Sequence, residues 1–319
     1  MDDFYVKAEG SEKLLSRIFL GTAGAPYSYG FERNALLDEM FEAGITAYDT
    51  ARKYGGAERC LGAWISSRKN REKIFLLTKC GHPGIFGNAR ANERAMRADL
   101  ERSLRELRTD YVDALLLHRD DERVPVGEIV EIFNAMYREG KVRAFGASNW
   151  RQERIAEANA YAEAHGLQPF RFSSPNFSLA EQVGEPWGGG SVSLSGEQNA
   201  AARAWYARTQ LPVIAYSSLG RGIFSGKVRD EKSARANMDR HALRGYGCEQ
   251  NYERARRCAE LAAQKGAKPA QIALSWIFRS EMNVFAVVGT SSPARMRENI
   301  AAFSIRLTKE ECDYLDLKK

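Results

Sequence analysis

The chain lacks any close pair of cysteines. Cys60, Cys80, Cys248, Cys258 and Cys312 are odd in number and scattered along 319 residues. Neither a disulfide framework nor a CxxC-type zinc site is expected, and a reducing, cytoplasmic setting fits. No apolar run approaches the roughly 20 residues needed to span a bilayer. Met1-Asp2-Asp3-Phe4 shows no basic-then-apolar leader pattern, so no membrane partner is expected. Of the four histidines, His82, His165 and His241 have no local metal-ligand spacing. They read as surface or packing residues, and no metal is expected. The charge balance is +6, with a pI near 9.0. Yet there is no basic stripe with interleaved aromatics, and pairs such as Glu93-Arg94, Glu101-Arg102 and Arg105-Glu106 mix the signs. That pattern describes solvated helix faces, so no nucleic-acid partner is expected.

Also missing are a Pro/Ser-rich linker and a glycine-rich fingerprint after the first strand-like run. The second absence argues against a doubly wound dinucleotide-binding sheet. In their place, strand-like and helix-like segments alternate. Strands are expected over 17–20, 45–49, 73–78, 111–117, 142–146, 170–173, 212–215 and 284–288. Helices are expected over 33–42, 57–67, 92–108, 126–139, 153–165, 197–209, 252–264, 269–278 and 293–302. In the third of these, Met96, Leu100, Leu104 and Leu107 recur on one helical face. Several strands are nearly continuous apolar runs, as in a parallel sheet covered on both faces. The expected fold is a single α/β domain over 1–319, a (β/α)8 TIM barrel. Two strand-to-helix connections, 184–196 and 219–247, are long enough to be functional loops.

Four residues stand where the chain leaves successive strands: Asp49, then Tyr54 in the following connection, Lys79 and His118. A carboxylate, a phenol, an ammonium and an imidazole delivered to one end of a parallel barrel make a proton-handling site able to reduce a carbonyl. Taken singly, Tyr54 reads as readily as a surface tyrosine, Asp49 and Lys79 as a structural ion pair, and His118 as a satisfied core histidine. Their order and spacing together favour chemistry. His118-Arg119-Asp120 is not a kinase catalytic loop, because Pro125 stands where the Asn is required and no glycine-rich phosphate loop precedes it.

The segment Tyr48-Asp49-Thr50-Ala51-Arg52-Lys53-Tyr54-Gly55, with Glu58 and Leu61-Gly62, closely resembles the signature of the aldo-keto reductases. Tyr111–His118 and Gly140–Trp150 resemble two further blocks of that family, and the resemblance runs from about Gly21 to Asn299. It implies that Tyr54 is the general acid for aldehyde or ketone reduction, with Lys79 favouring the ionised phenol. Asp49 would orient Lys79, and His118 would set the angle of the substrate oxygen. It further implies NADP(H), with NAD(H) as the other cofactor open to the chain. Ser148 and Asn149 would hydrogen-bond the carboxamide, and Tyr216 would stack under the nicotinamide. The segment Ser217-Ser218-Leu219-Gly220-Arg221-Gly222 would meet the pyrophosphate. Gly289, Thr290, Ser291, Arg295, Glu298 and Asn299 would surround the adenosine end, Arg295 facing the 2′-phosphate. Gly21 and Thr22 fall within the same implied cofactor site.

Three positions depart from the family pattern. Ser174 replaces the usual Gln, so one carboxamide contact is lost or made through water. Gly289 replaces the Lys common before Thr290, and Ala23 replaces a Trp of the substrate wall. A mouth without that Trp suits sugars, glycosides or other bulky carbonyls. The readings are therefore a reductase acting on a small-molecule carbonyl or alcohol, or a cofactor-holding redox sensor or binding subunit with little turnover. A metal-dependent sugar isomerase is a distant third.

Overall fold

The computed structural model describes residues 4–7, 13–84 and 90–318; the sequence reading of Met1–Asp3 lies outside them. A short antiparallel hairpin, β1 (Tyr5–Lys7) and β2 (Leu14–Ser16), comes first. It is followed by β3 (Ile18–Gly21), β4 (Ala47–Asp49), β5 (Phe75–Cys80), β6 (Val112–Leu117) and β7 (Val142–Ser148). Then come β8 (Phe172–Ser174), β9 (Val213–Ala215) and β10 (Val284–Val288). Strands β3 to β10 form a closed eight-stranded barrel in chain order, with helices on the crossovers. This is the expected (β/α)8 fold, and all eight expected strands are present within two residues at their ends.

Contacts within the chain cluster into two compact units. The first in sequence comprises the described residues between 4 and 174, with 289–293. Its registers decide which side chains share a face. Phe19 pairs with Ala47, Ala47 with Phe75, Leu77 with Ala114, Ala114 with Ala144, and Gly146 with Phe172. Alternation with period two then puts Phe19, Phe75 and Phe172 on one face, and their rings meet at 5.9 Å and 5.6 Å. The same parity, carried to the strand ends, selects Asp49, Lys79, His118, Ser148 and Ser174. The opposite parity is spent on helices: Tyr48 packs against Trp64 at 5.3 Å, and Thr78 donates to the buried Glu58 at 2.7 Å. Gly146 is required by close approach, since a Cβ there would lie 1.9 Å from the Phe172 carbonyl oxygen.

The second unit comprises 175–288 and 294–318, with its own core of Ile223, Phe224, Ala234, Tyr246, Cys258, Ile272 and Leu315. Here the structure departs from the sequence reading. The connection 219–247 is not an open loop; it contains helices Glu231–Asn237 and Arg240–Tyr246. At seven residues each they are too short to show helical periodicity, and they rely on Asp230 and Asp239 as N-caps. The C-terminal helix Lys309–Leu315 also went unread, although Thr308 and Glu311 form a capping box. The three-residue strands β1 and β2 carry too little pattern to detect. No helix among the described residues is long and apolar enough to cross a membrane. No group of three or more His, Cys, Asp or Glu among them is placed to hold a metal ion.

The hairpin is fastened to the start of the barrel strands by a buried carboxylate. Asp113 of β6 accepts from Leu76 N at 2.8 Å and pairs with Lys13 at 2.9 Å and Arg71 at 2.8 Å. Replacing one side of such a pair leaves charge buried without compensation, which costs about 3–5 kcal/mol. Asp113→Ala should lower the unfolding free energy by about that amount, measured by urea denaturation. A loss below about 1 kcal/mol, the level of an exposed pair, would show that the cluster is effectively solvated.

Candidate active site

The turn that follows β4 is stitched to β5 through the backbone. Thr50 N donates to Leu77 O at 2.9 Å and Arg52 N to Lys79 O at 3.1 Å. Within the turn, Tyr54 N donates to Ala51 O at 2.9 Å, and Ala57 N donates to Tyr54 O at 3.2 Å as helix Ala57–Arg68 begins. Gly56 N donates to Ser28 O at 2.7 Å. A Cβ on Gly56 would fall 2.4 Å from Gly30 Cα, so only glycine admits this contact between the two connections. Arg52 spans Glu58 at 3.4 Å and Glu106 at 3.5 Å, closing the outer side of the turn. These contacts bring Tyr54 back over the end of β5.

Lys79, buried on the inner face, is the centre of the arrangement. Its Nζ donates to Asp49 Oδ1 in a very short ion pair, to Thr50 O at 3.1 Å and to Tyr54 Oη at 3.3 Å. Burial works against its charge, but Asp49 and Tyr54 outweigh it and hold the ammonium above the usual lysine range. Burial likewise pushes the Tyr54 phenol above its usual value; Lys79 pulls the other way, and Asp49 adds to the rise. The sequence reading had the ammonium favouring the ionised phenol. That attraction is present, yet desolvation exceeds it and the phenol keeps its proton at neutral pH.

His118 lies across from Tyr54, with ring centroids 5.6 Å apart and planes at 84°. Burial, then the charges of Lys79, His82, Arg119 and Lys53, hold the imidazole well below its usual pKa. It is neutral, and its buried Nδ1 has no hydrogen-bond partner among the described residues. His82, read from sequence as a surface or packing residue, packs on His118 with centroids 4.8 Å apart. Its place two residues after β5 was the available signal. The structure therefore brings Asp49, Tyr54, Lys79 and His118 together. A phenol that accepts from an ammonium while keeping its own proton can deliver that proton to a third group.

Beside them, Asn149 adopts φ 60°. Its Nδ2 donates to Ser148 Oγ at 3.0 Å and reaches His118 O at 3.5 Å, while Ser148 Oγ donates to Ser174 O at 3.0 Å. Thr22 Oγ1 donates to Asp49 O at 3.0 Å, next to Gly21. Tyr27 donates to Thr290 O at 2.9 Å, and Ser292 N donates to Thr290 Oγ1 at 3.1 Å. Gly289 and Ser291 flank Thr290.

In the second unit, Tyr216 N donates to Pro175 O at 3.2 Å and Gly220 N to Ser217 O at 2.8 Å. Ser217, Gly220, Arg221 and Gly222 all have positive φ around Leu219. The guanidinium of Arg221 lies 4.3 Å over the Trp187 ring and pairs with Asp239 at 2.8 Å; its Nε is buried without a hydrogen-bond partner among the described residues. Trp187 and Asp239 were invisible to sequence reasoning because Trp187 comes from another connection, 184–196, and Asp239 lies 18 residues beyond Arg221. Arg295, Glu298 and Asn299 all lie on helix Pro293–Ile300. The Glu298 carboxylate is engaged by Lys268 at 2.6 Å, and Asn299 is buried.

Comparison with known proteins identifies the scaffold. Norsolorinic acid reductase of Emericella nidulans is 28% identical over 291 residues, covering 87% of this chain and 69% of that protein. An uncharacterized oxidoreductase of Bacillus subtilis is 28% identical over 314 residues, covering 93% and 90%. An aryl-alcohol dehydrogenase of Pestalotiopsis microspora is 27% identical over 298 residues, covering 88% and 71%. The crystal structure of a thermostable aldo-keto reductase with the inhibitor epalrestat superposes with a TM-score of 0.73 over 99% of both chains. At 22% identity it supports the fold alone. The model of the Aldo/keto reductase family matches residues 17–319. With that match across the barrel and its strand-end residues, this chain belongs to the aldo/keto reductase family of oxidoreductases.

Proposed function

We propose that this single-domain barrel is an NADP(H)-dependent reductase converting an aldehyde or ketone to an alcohol, with Tyr54 as general acid. The observation that carries the proposal is the hydrogen bond from the buried Lys79 ammonium to Tyr54 Oη. It occupies a lone pair on the phenol and leaves the O–H free to point at a carbonyl oxygen. As negative charge develops on that oxygen, the Tyr54 proton moves to it. The resulting phenolate is then stabilised by the ammonium 3.3 Å away. Neutral His118 supplies one N–H to orient the same oxygen. A nicotinamide, when bound, supplies the hydride to the carbonyl carbon. Ser148 and Asn149 are suited to its carboxamide, with Ser174 close by. The buried Nε of Arg221, without a partner among the described residues, suits a pyrophosphate, and Arg295 suits a 2′-phosphate. A cofactor sensor without turnover would need no buried ammonium behind a phenol. Relatives named for norsolorinic acid and aryl alcohols support aryl carbonyls as substrates, alongside the sugar carbonyls suggested by Ala23.

Tyr54→Phe should cut kcat for a reducible aldehyde by about 10²–10⁴-fold, the usual contribution of a positioned acid, while cofactor affinity stays nearly unchanged. Near-full turnover in this variant would remove Tyr54 as the acid.

The phenol itself can be titrated by the tyrosinate absorbance of wild type minus Tyr54→Phe. Tyr54 should ionise above its model-compound value of 10.0. Lys79→Met removes a positive neighbour and should raise the midpoint further. Asp49→Asn removes a negative one and should lower it. The opposite order would show that Lys79 does not act on the phenol.

Arg295→Ala should weaken NADPH binding by about 10–150-fold, the value of one charged hydrogen bond, and leave NADH almost unaffected. Fluorescence titration of both cofactors decides this; equal losses would place Arg295 away from the 2′-phosphate.

A further inference from the structure

We infer that Trp187, on the long connection 184–196, is a positioning residue for the cofactor: it holds the guanidinium of Arg221 so that Nε–H faces the cofactor's pyrophosphate. The inference rests on the cofactor assignment of the reductase reading and adds to it a residue that acts through Arg221. Arg221 occupies a left-handed position, φ 53° and ψ 37°, between Gly220 and Gly222. A Cβ is sterically costly there and glycine is not, so the backbone gives no reason for a side chain. The reason lies in the guanidinium. Its Nη2 donates to Asp239 at 2.8 Å, and its carbon lies 4.3 Å over the Trp187 ring. Its Nε is buried with no hydrogen-bond partner among the described residues. A buried charged donor left unpaired is unfavourable, and an anionic oxygen is the acceptor that relieves it best.

Trp187 is itself held in place by its surroundings. Val183 N donates to Gly245 O at 2.8 Å, tying the approach to the connection onto helix Arg240–Tyr246. From the same helix, His241 Nδ1 donates to Pro186 O at 2.8 Å, because a carbonyl can only accept. The His241 ring stacks with the Trp187 indole at 5.8 Å and 24°. Gly245 makes room for Pro186, whose Cγ would lie 3.0 Å from a Cβ there. Farther along, Asn176 N donates to Val192 O and Leu194 N to Asn176 O, both at 2.8 Å, so the connection is pinned on both sides of the indole. Trp187 nonetheless stays 44% exposed, too open for core packing to explain its ring. What the ring does cover is a cation, and a planar guanidinium on an indole face is both attracted and oriented. Asp239 caps the same helix, accepting from His241 N and Ala242 N. The indole and the carboxylate are thus both fastened to one short helix. Trp187 sets the plane of the guanidinium and Asp239 holds one end, so the Nε edge has a fixed direction before a ligand arrives. A ligand then avoids the cost of ordering that side chain.

The test is a double-mutant cycle on cofactor affinity, measured by isothermal titration calorimetry with NADPH and with NADH, a readout independent of indole fluorescence. Arg221→Met should weaken both cofactors by about 10-fold or more. Trp187→Ala should weaken both by about 5-fold, and equally, because the pyrophosphate is common to the two. Trp187→Phe keeps an aromatic face and should recover most of that loss. In the Arg221→Met background, Trp187→Ala should cost less than about 2-fold, since its effect passes through the guanidinium. A merely structural role for Trp187 would give the same loss in both backgrounds. A loss that persists in the Arg221→Met background, or no loss in Trp187→Ala alone, overturns the inference and leaves Arg221 at the pyrophosphate. Wild-type affinity in Arg221→Met removes Arg221 from the pyrophosphate and the inference with it, while the proton chemistry of Tyr54 stands. Binding of neither cofactor by wild type overturns the reductase reading itself.

Discussion

A positive charge taken out of water is the constraint around which the first unit is arranged. Lys79 is buried at the end of β5, where an isolated ammonium would be several kcal/mol too costly to keep. Three acceptors answer that cost: the Asp49 carboxylate, the Thr50 carbonyl and the Tyr54 hydroxyl. Each comes from β4 or the turn after it, so keeping one charge requires β4, its turn and β5 to hold fixed positions. The backbone bonds from Thr50 to Leu77 and from Arg52 to Lys79 supply that fixity. On the outer side, Thr78 and Arg52 converge on buried Glu58, a second polar anchor behind the turn.

The same charge sets the proton chemistry of its neighbours, although not alone. At Tyr54 it competes with burial and loses in net direction, which keeps the phenol protonated at neutral pH. At His118 it acts together with burial and with cations farther out, so the imidazole stays neutral. An acid that holds its proton beside an imidazole that takes none is a useful division of roles. The two groups can address one oxygen without exchanging a proton between themselves.

Much of this was legible in the sequence because strand chemistry is periodic and local. Asp49, Lys79 and His118 each end an apolar run, and parallel pairing of neighbouring strands places such ends side by side. The signature around Tyr54 narrowed the fold to one family, which the match over residues 17–319 bears out. The reason for glycine at position 56 was not legible there. Gly56 is there because Gly30, 26 positions earlier, sits where a Cβ would be.

What the sequence by itself determined is the alternation that makes a barrel and the chemical identity of the groups at its strand ends, since both depend on residue type and spacing within a few neighbours. Tertiary structure alone decided the balance of energies among those groups. Whether Tyr54 rises or falls in pKa depends on how much water is excluded and how far Lys79 lies from it, and both are set by side chains distant in sequence. The contact of His82 with His118, the capture of Arg221 by Trp187 and Asp239, and the fastening of the hairpin through Asp113 are of the same kind. Each joins residues whose separation along the chain carries no periodic signal, and each exists only because packing brought them within a few ångströms.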